Sequence, residues 1–163
     1  MYLIYDTETT GLPKDYNSPI TDADNWPRLV QLAWQLHAAD GSLIEAQNFI
    51  VKPEGFDIPY NSEQVHGIST KKALEEGIPL QEALNLFTEV LGKTKFVAGH
   101  NIEFDINIMG AEYMRLSDSA PIMDYPSIDT KDESTEFCAI PGGRGGQFKW
   151  PKLTALHVKL FGE

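Results

Sequence analysis

Two acidic side chains near the N-terminus are spaced to act on the same chemical group. Asp6 and Glu8 follow an apolar run and are two residues apart, and alternate residues of a β-strand share one face. Their carboxylates would lie within about 7 Å of each other and would repel unless a divalent cation bound between them. Oxygen ligands of this kind suit Mg²⁺ or Mn²⁺. Solvated acids at a strand end are the alternative, because a D-x-E pattern alone is common.

A third acidic side chain, Asp105, lies in the later polar segment HNIEFD. This segment follows a predicted strand over residues 95–99 and begins a helix predicted over residues 102–116. Asp105 would lie in the first helical turn, where the helix dipole by itself stabilises a negative charge. The surrounding helix is mostly apolar, so a buried carboxylate there needs a partner. We expect Asp105 to meet Asp6 and Glu8 over a shared metal ion.

The strands that would position these acids follow from the alternation of apolar and polar residues. Strands are predicted over residues 2–6, 29–37 and 43–51, with Asp40-Gly41 forming a hairpin turn between the second and the third. Residues 11–28 carry three prolines and form a long loop. The first three strands therefore pair in antiparallel fashion.

Helices and short strands make up the rest of the chain. Apolar residues recur at helical spacing between Pro79 and Gly92. A last short strand is predicted over residues 122–125, and Pro151 begins a final helix that Gly162 ends.

This order of elements predicts the fold class. An antiparallel first half followed by strand–helix–strand units favours an α/β fold with a mixed β-sheet. Its first three strands would be antiparallel and the later strands parallel, with helices on both faces. No linker divides the 163 residues, so we predict a single domain over residues 1–163.

Composition and charge limit the possible functions. The chain carries 24 acidic and 13 basic residues and a formal net charge of −11, which excludes a protein that coats nucleic acid by neutralising many phosphates. Residues 137–162 depart from this balance, with four basic residues and no acidic one. A solvated basic end and a phosphate-facing patch both remain possible for this segment, and Trp150 in it could be a packing residue or a base-stacking one.

The setting of the protein is inferred from the same composition. The N-terminus lacks the features of a signal sequence, and no apolar run reaches the roughly 18–20 residues of a membrane span. A single cysteine, Cys138, cannot form an internal disulfide. We therefore predict a cytoplasmic protein with no membrane partner.

The two acidic segments together resemble the motifs of a known enzyme family. The segments YDTETTG and AGHNIEFD are similar to the first two motifs of the DnaQ-like, DEDD-type 3′→5′ exonucleases, a family that includes the proofreading epsilon subunit of bacterial DNA polymerase III. The first family motif is D-x-E and the second is H-N-x-x-F-D. The resemblance runs in family order along most of the chain, and the paired motifs are more specific than either one alone.

The resemblance implies a ribonuclease H-like fold and phosphodiester hydrolysis with two ions, Mg²⁺ or Mn²⁺, about 4 Å apart. It assigns catalysis and metal binding to Asp6, Glu8 and Asp105. It implies that the terminal nucleotide of a nucleic-acid 3′ end is bound by seven further residues: Thr9, Thr10, Gly11, Leu12, His66, Asn101 and Phe104. Single-stranded DNA is the favoured substrate, in proofreading or repair, and a DNA polymerase is a possible partner.

One family motif has no counterpart in this sequence. The third motif supplies a general-base histidine and, five residues later, a fourth metal-binding aspartate. Here His157 is followed by Gly162 at that spacing and by Glu163 one residue further, and Asp129 has no histidine at the required distance before it. We expect a chain shortened before this motif to be a weak or inactive nuclease.

Three alternatives remain open, the last of which is a metal-binding regulatory or structural domain with no role on nucleic acid. The first is a 3′→5′ exoribonuclease of the oligoribonuclease or RNase T type, because no residue indicates how a 2′-hydroxyl would be recognised. The second is a catalytically inactive module that binds nucleic acid or a polymerase. Retention of all three acids favours the enzyme.

Overall fold

Five strands form one mixed sheet in the computed structural model, which describes residues 1–162. The strand order is β3-β2-β1-β4-β5. The strands span β1 Tyr2–Thr9, β2 Leu29–His37, β3 Leu43–Ile50, β4 Val97–Gly99 and β5 Ser127–Asp129. β1 pairs antiparallel with β2, and β2 with β3, while β4 is parallel to both β1 and β5. The predicted mixed α/β sheet is confirmed.

The β2–β3 connection is the tight turn expected from Asp40-Gly41. Gly41 has φ +88°, and its N–H donates to the carbonyl of Ala38 at 3.1 Å. The Asp40 carboxylate accepts from the N–H of Ser42 at 3.0 Å. Glycine supplies the left-handed conformation, and the aspartate completes the turn with its own side chain.

Seven α-helices surround the sheet in the described part of the chain. They are α1 Tyr60–His66, α2 Thr70–Glu76, α3 Leu80–Leu91, α4 Ile102–Leu116, α5 Thr130–Glu133, α6 Thr135–Cys138 and α7 Leu153–Phe161. Short 3₁₀ turns cover Pro121–Asp124 and Arg144–Gly146. The predicted helices over residues 80–91 and 102–116 are confirmed. Within residues 1–162, no helix is long and apolar enough to cross a membrane.

The prediction of a strand over residues 122–125 was wrong. Those residues form a 3₁₀ turn with Pro121 in its first position, and Ile122 is fully buried. Pairing with β4 begins only after this turn, where the N–H of Val97 donates to the carbonyl of Pro126 at 3.0 Å. The apolar residue that suggested a strand is instead a core anchor on a turn.

One face of the sheet carries the main hydrophobic core. Leu3, Tyr5 and Trp34 on the central strands are buried there against α3 and α4. Phe87 of α3 is the centre of this contact, since its ring lies edge-on to Tyr5 at 5.0 Å and to Trp34 at 5.8 Å between centroids. The opposite face of β1 presents Ile4, Asp6 and Glu8, and Ile4 keeps 40% of its surface exposed.

Phe87→Ala should destabilise the protein by about 3–5 kcal/mol, because it removes a fully buried ring and leaves a cavity. Urea unfolding monitored by circular dichroism measures the loss. Phe137→Ala is the matched control, since that ring is 50% exposed and its removal should change the free energy of unfolding by about 0.5 kcal/mol or less. Equal losses in both variants would contradict the packing described here.

Candidate active site

Asp6 and Glu8 lie side by side at the carboxyl end of β1, on its open face. Asp6 is exposed and Glu8 is half-buried. Their antiparallel partners on β2 are Ala33 and Gln31. A bulge then shifts the register between Glu8 and Thr9, and the chain leaves the sheet. The shared face predicted from their two-residue spacing is therefore observed.

Asp105 reaches the same strand from the other side. It lies in the first turn of α4 and is only 4% exposed. Its Oδ1 accepts hydrogen bonds from the backbone N–H of Thr7 at 2.9 Å and from the Thr7 hydroxyl at 2.6 Å. Thr7 is the residue between the two acids of β1, so Asp105 is held directly behind them.

A close approach of α4 to β1 makes this contact possible. A Cβ added at Gly99 would lie 2.6 Å from Cδ1 of Ile102 and 3.1 Å from the carbonyl oxygen of Tyr5. Only glycine allows the turn between β4 and α4 to pack this tightly. Asn101 follows with φ +69°, a left-handed conformation that asparagine tolerates better than most residues.

The charge of Asp6 acts on both of the other carboxylates. Partial loss of hydration raises the pKa of Asp6 although its side chain reaches solvent, and the same effect together with the charge of Asp6 raises the pKa of Glu8. Burial also raises the pKa of Asp105 to about 7, with the hydrogen bonds from Thr7 opposing the shift and the charge of Asp6 adding to it. If all three acids ionised, their negative charge would have no counter-charge beside it. A divalent cation bound there would favour the ionised forms.

The donor set fits a hard cation that keeps part of its hydration shell. Within residues 1–162, no group of three or more His, Cys, Asp or Glu side chains converges closely enough to enclose a metal ion. Mg²⁺ commonly binds one or two protein carboxylates and takes its other ligands from water and substrate phosphates. Asp6 and Glu8 meet that requirement, and Asp105 lies behind them.

The turn after β1 is held in place by its own side chains. The Thr9 hydroxyl donates to the carbonyl of Gly11 at 2.6 Å. The Thr10 N–H donates to the carbonyl of Arg28 at 2.9 Å, and the Thr10 hydroxyl accepts from the Arg28 N–H at 2.9 Å. Leu12 follows and is 73% exposed. An apolar side chain is thus presented to solvent from a fixed turn beside the acids.

His66 lies at the end of α1 and faces this turn. Its Nδ1 accepts from the N–H of Ile68 at 3.1 Å, which leaves the ring proton on Nε2 in the neutral form. Nε2 is buried and faces the carbonyl of Thr9 without the geometry of a full hydrogen bond. Burial lowers the pKa of His66, while the carbonyl of Thr9 and the charge of Glu63 oppose the shift. His66 therefore lies beside the start of the turn that follows β1.

Asn101 and Phe104 lie at a cavity next to the acids and not at the turn that contains Thr9 and Leu12. With Tyr16 and Asn17 of the long loop they line a cavity of about 170 Å³ at the start of α4. Asn101 is exposed and Phe104 is half-buried against the main core. Asp105 is one residue beyond Phe104 in the first turn of α4, so the cavity adjoins the acids through that helix.

Sequence reasoning missed the residues that hold Asn101. The carboxylate of Asp129 accepts from the Asn101 N–H at 2.8 Å and from the N–H of Lys131 at 2.9 Å. The Lys131 ammonium donates to Oδ1 of Asn101 at 2.8 Å. Asp129 is the N-cap of α5, and this position directly after a strand is the signal that could have identified it.

A second missed feature is a buried ion cluster that holds the long loop. Glu112 is fully buried on α4 and accepts from Nε of Arg28 at 3.0 Å and from the N–H of Leu29 at 2.8 Å. Arg115 lies 3.1 Å from the same carboxylate and donates to the carbonyls of Ala23 and Trp26. Because Arg28 bonds to Thr10, this cluster supports the turn beside the acids.

No residue in the described part of the chain takes the place of the third motif. His157 is exposed on α7, and its ring packs on Phe161 at 4.9 Å between centroids. Asp129 is engaged with Asn101 and Lys131. Glu163 lies outside the described residues.

One family model and several relatives match most of this chain. The exonuclease family model RNase_T matches residues 3–139. A PolC-type DNA polymerase III of Mycoplasmopsis pulmonis is 30% identical over 129 residues, and one of Latilactobacillus sakei is 31% identical over 140 residues. These alignments cover 79% and 82% of this chain but only 8% of each polymerase.

Solved structures show the same fold. Escherichia coli exonuclease I in complex with a dT13 oligonucleotide aligns with a TM-score of 0.68 at 19% identity, covering 92% of this chain and 33% of the other. The same enzyme with a labelled dA13 oligonucleotide aligns at 0.72 and 18% identity, covering 98% and 36%. The neighbours have the ribonuclease H-like fold, and the predicted fold class is confirmed.

Glu112→Gln should lower the free energy of unfolding by about 3 kcal/mol or more, because it leaves two arginines facing a neutral buried group. Urea unfolding measures the loss. Glu89→Gln is the matched control, since Glu89 pairs with Lys93 on the surface at 3.1 Å and such pairs contribute about 0–1 kcal/mol. If the two variants differ by less than 1 kcal/mol, the cluster does not hold the loop.

Asp105→Asn should stabilise the metal-free protein in a pH-dependent manner. The ordinary pKa of 3.8 rises to about 7 on folding, so ionisation costs stability from about pH 4 upward and the cost is constant above about pH 7. Asparagine keeps the acceptor for Thr7 and removes the charge. The gain should be absent below about pH 4 and reach the order of 4 kcal/mol above pH 7, as measured by urea unfolding with chelator across this range. A gain that is independent of pH would show that the charge is not its cause.

Proposed function

The chain belongs to the RNase_T family of exonucleases, and from this premise we propose that it removes nucleotides from the 3′ ends of single-stranded DNA with divalent metal ions. The observation that supports this most directly is the placement of Asp6 and Glu8 on one open face of β1, with Asp105 bonded behind them to Thr7. These acids lie beside a fixed turn that exposes an apolar residue. A cation site next to a base-contacting residue is what terminal phosphodiester hydrolysis requires.

The chain's own residues would divide this work. Asp6 and Glu8 would bind the Mg²⁺ or Mn²⁺ ions on the open face of β1. Asp105, which is fixed by its bonds to Thr7, would orient the other ligands of the metal ions from the core side. When bound, the ions supply an activated water and stabilise charge on the leaving 3′ oxygen. Thr7 fixes the relative position of all three acids, because it lies between two of them and bonds to the third.

The terminal nucleotide would lie along the turn and the start of α4. Leu12 would pack against the terminal base, since it is apolar and exposed at a fixed position. Thr9, Thr10 and Gly11 would line the sugar side, and His66 could donate from its unpartnered Nε2. Asn101 and Phe104 would border the nucleotide from the neighbouring cavity.

We expect hydrolysis by this chain to be slow. The third motif, which would supply the general-base histidine, has no counterpart among the described residues, and a missing general base typically lowers a rate by about 10²–10⁴-fold. The three retained carboxylates nevertheless favour an enzyme over an inactive binding module.

The relatives suggest a setting for this activity. PolC-type polymerases contain a segment similar to this chain, so a DNA polymerase is a partner to test. The chain spans only 8% of those relatives, and their other activities do not transfer with it. An exoribonuclease is the second candidate, because the hydroxyls of Thr9 and Thr10 already bond to Gly11 and Arg28 and do not mark the substrate as DNA or as RNA.

The test is a trimming assay with a 5′-labelled single-stranded DNA and manganese. We expect removal of nucleotides one at a time from the 3′ end. Asp6→Asn should reduce the rate by about 100-fold or more, in the range known for loss of one transition-state contact. Asp118→Asn is the matched control, because Asp118 follows the far end of α4, roughly 20 Å from Asp105 along the helix, and it should retain the full rate.

Three outcomes distinguish the candidates. Faster trimming of an RNA of the same sequence would favour the exoribonuclease. Trimming that Asp6→Asn does not reduce would point to a contaminating nuclease. No trimming, together with a manganese-dependent rise in melting temperature that Asp6→Asn abolishes, would indicate a metal-binding module without nuclease activity.

A further inference from the structure

A second concave surface lies beyond the site described above. The loop over residues 139–150, here called the glycine loop, and helices α5 and α6 enclose a cavity of about 920 Å³. On the loop side it is lined by Arg144, Phe148, Lys149 and Trp150. On the helix side it is lined by Asp132 and Glu136, among others. The cavity is large enough to hold one or two nucleotides.

The glycine loop has a defined shape despite its four glycines. The N–H of Gly143 donates to the carbonyl of Gln147 at 3.0 Å, and the N–H of Lys149 donates to the carbonyl of Ile140 at 2.8 Å. A Cβ added at Gly143 would lie 2.5 Å from the carbonyl oxygens of Gln147 and Phe148. Glycine is therefore required by close backbone packing, and the loop is folded onto itself rather than extended.

Charge separates this surface from the rest of the molecule. Residues 137–162 contain four of the 13 basic residues and none of the 24 acidic ones, in a chain whose net charge is −11. Two of the four, Arg144 and Lys149, line the cavity, and both are exposed. The loop side of the cavity is therefore cationic and attracts polyanions, whereas Asp132 and Glu136 make the helix side acidic.

Exposed aromatic rings accompany these charges. Trp150 keeps 69% of its surface exposed, and Phe148 keeps 38%. The Lys131 ammonium lies 4.3 Å from the centre of the Trp150 ring. An indole that is held by a cation and open to solvent is a stacking surface for a nucleobase. The sequence left a packing role for Trp150 open, and this exposure favours the stacking role.

The glycine loop is connected to the nuclease site through two contacts. Lys131, which packs on Trp150, donates to Oδ1 of Asn101 at 2.8 Å. His100, the residue before Asn101, contacts the carbonyl of Pro151 through Nε2 at 2.9 Å. Trp150, through Lys131, and the residue after the loop, Pro151, therefore contact the segment that leads into α4.

We propose that the glycine loop binds the single strand 5′ of the terminal nucleotide, with a base stacked on Trp150 and phosphates on Arg144 and Lys149. Asp132 and Glu136 repel the backbone from the helix side, so the phosphates lie toward the loop. This inference rests on the proposed function for the direction of the strand. The strand's binding to the loop depends only on the loop's own residues.

The test measures binding without hydrolysis. Fluorescence anisotropy follows labelled oligothymidylates of four and of twelve residues, with the full chain in the presence of chelator. Trp150→Ala should weaken binding of the twelve-residue strand by about 5-fold or more and affect the shorter strand less, whereas Trp150→Phe should restore most of the affinity. Arg144→Gln with Lys149→Gln should reduce the slope of log affinity against log salt by about 1.4, at about 0.7 for each lost phosphate contact.

A matched control for the loss of charge is available on another surface of the chain. Lys71→Gln with Lys72→Gln removes the same charge from the exposed surface of α2 and should leave that slope nearly unchanged. The proposal is overturned if the unaltered chain does not bind the twelve-residue strand, if Trp150→Ala binds within twofold of it, or if poly-glutamate competes as well as DNA. Because no hydrolysis is measured, failure of the trimming assay leaves this result intact.

Discussion

The hydrogen bonds between Asp105 and Thr7 are the contact on which the candidate active site depends. They join the first turn of α4 to the carboxyl end of β1 and place a buried carboxylate directly behind two others. A buried acid of this kind opposes folding when it is ionised. The fold tolerates it because Thr7 supplies two donors and because a cation on the open face would offset the remaining charge. The site is therefore a region where the fold gives up stability for a chemical function.

A second buried acid on the same helix is used differently. Glu112 is fully buried but is matched by Arg28 and Arg115, so its charge is compensated within the protein. One helix thus carries an uncompensated acid at its start, where chemistry is expected, and a compensated one two turns later, where the long loop must be held. Through Arg28 and Thr10 the compensated acid supports the turn beside the uncompensated one.

The acidic net charge of the chain is consistent with an enzyme that acts on the end of a polyanion. Such an enzyme needs few phosphate contacts. Two of the 13 basic residues, Arg144 and Lys149, lie on the glycine loop, which connects to Asn101 through Trp150 and Lys131. The proposed attraction of the strand is therefore local to this loop.

The amino-acid sequence by itself determined the pairing of Asp6 with Glu8, the hairpin at Asp40-Gly41 and helix α4, because each depends on local alternation, turn chemistry or helical spacing. It did not determine the position of strand β5, because the apolar residue that suggested a strand, Ile122, is buried in the core from a 3₁₀ turn that precedes β5. Nor did it determine the partners of Asn101 or of Glu112, because these contacts join residues 28 and 84 positions apart and leave no periodic signal. The sequence predicted the three acids of the candidate site, and only the tertiary structure decided which residues hold them in place, because the partners of a buried charge are set by proximity in space and not along the chain.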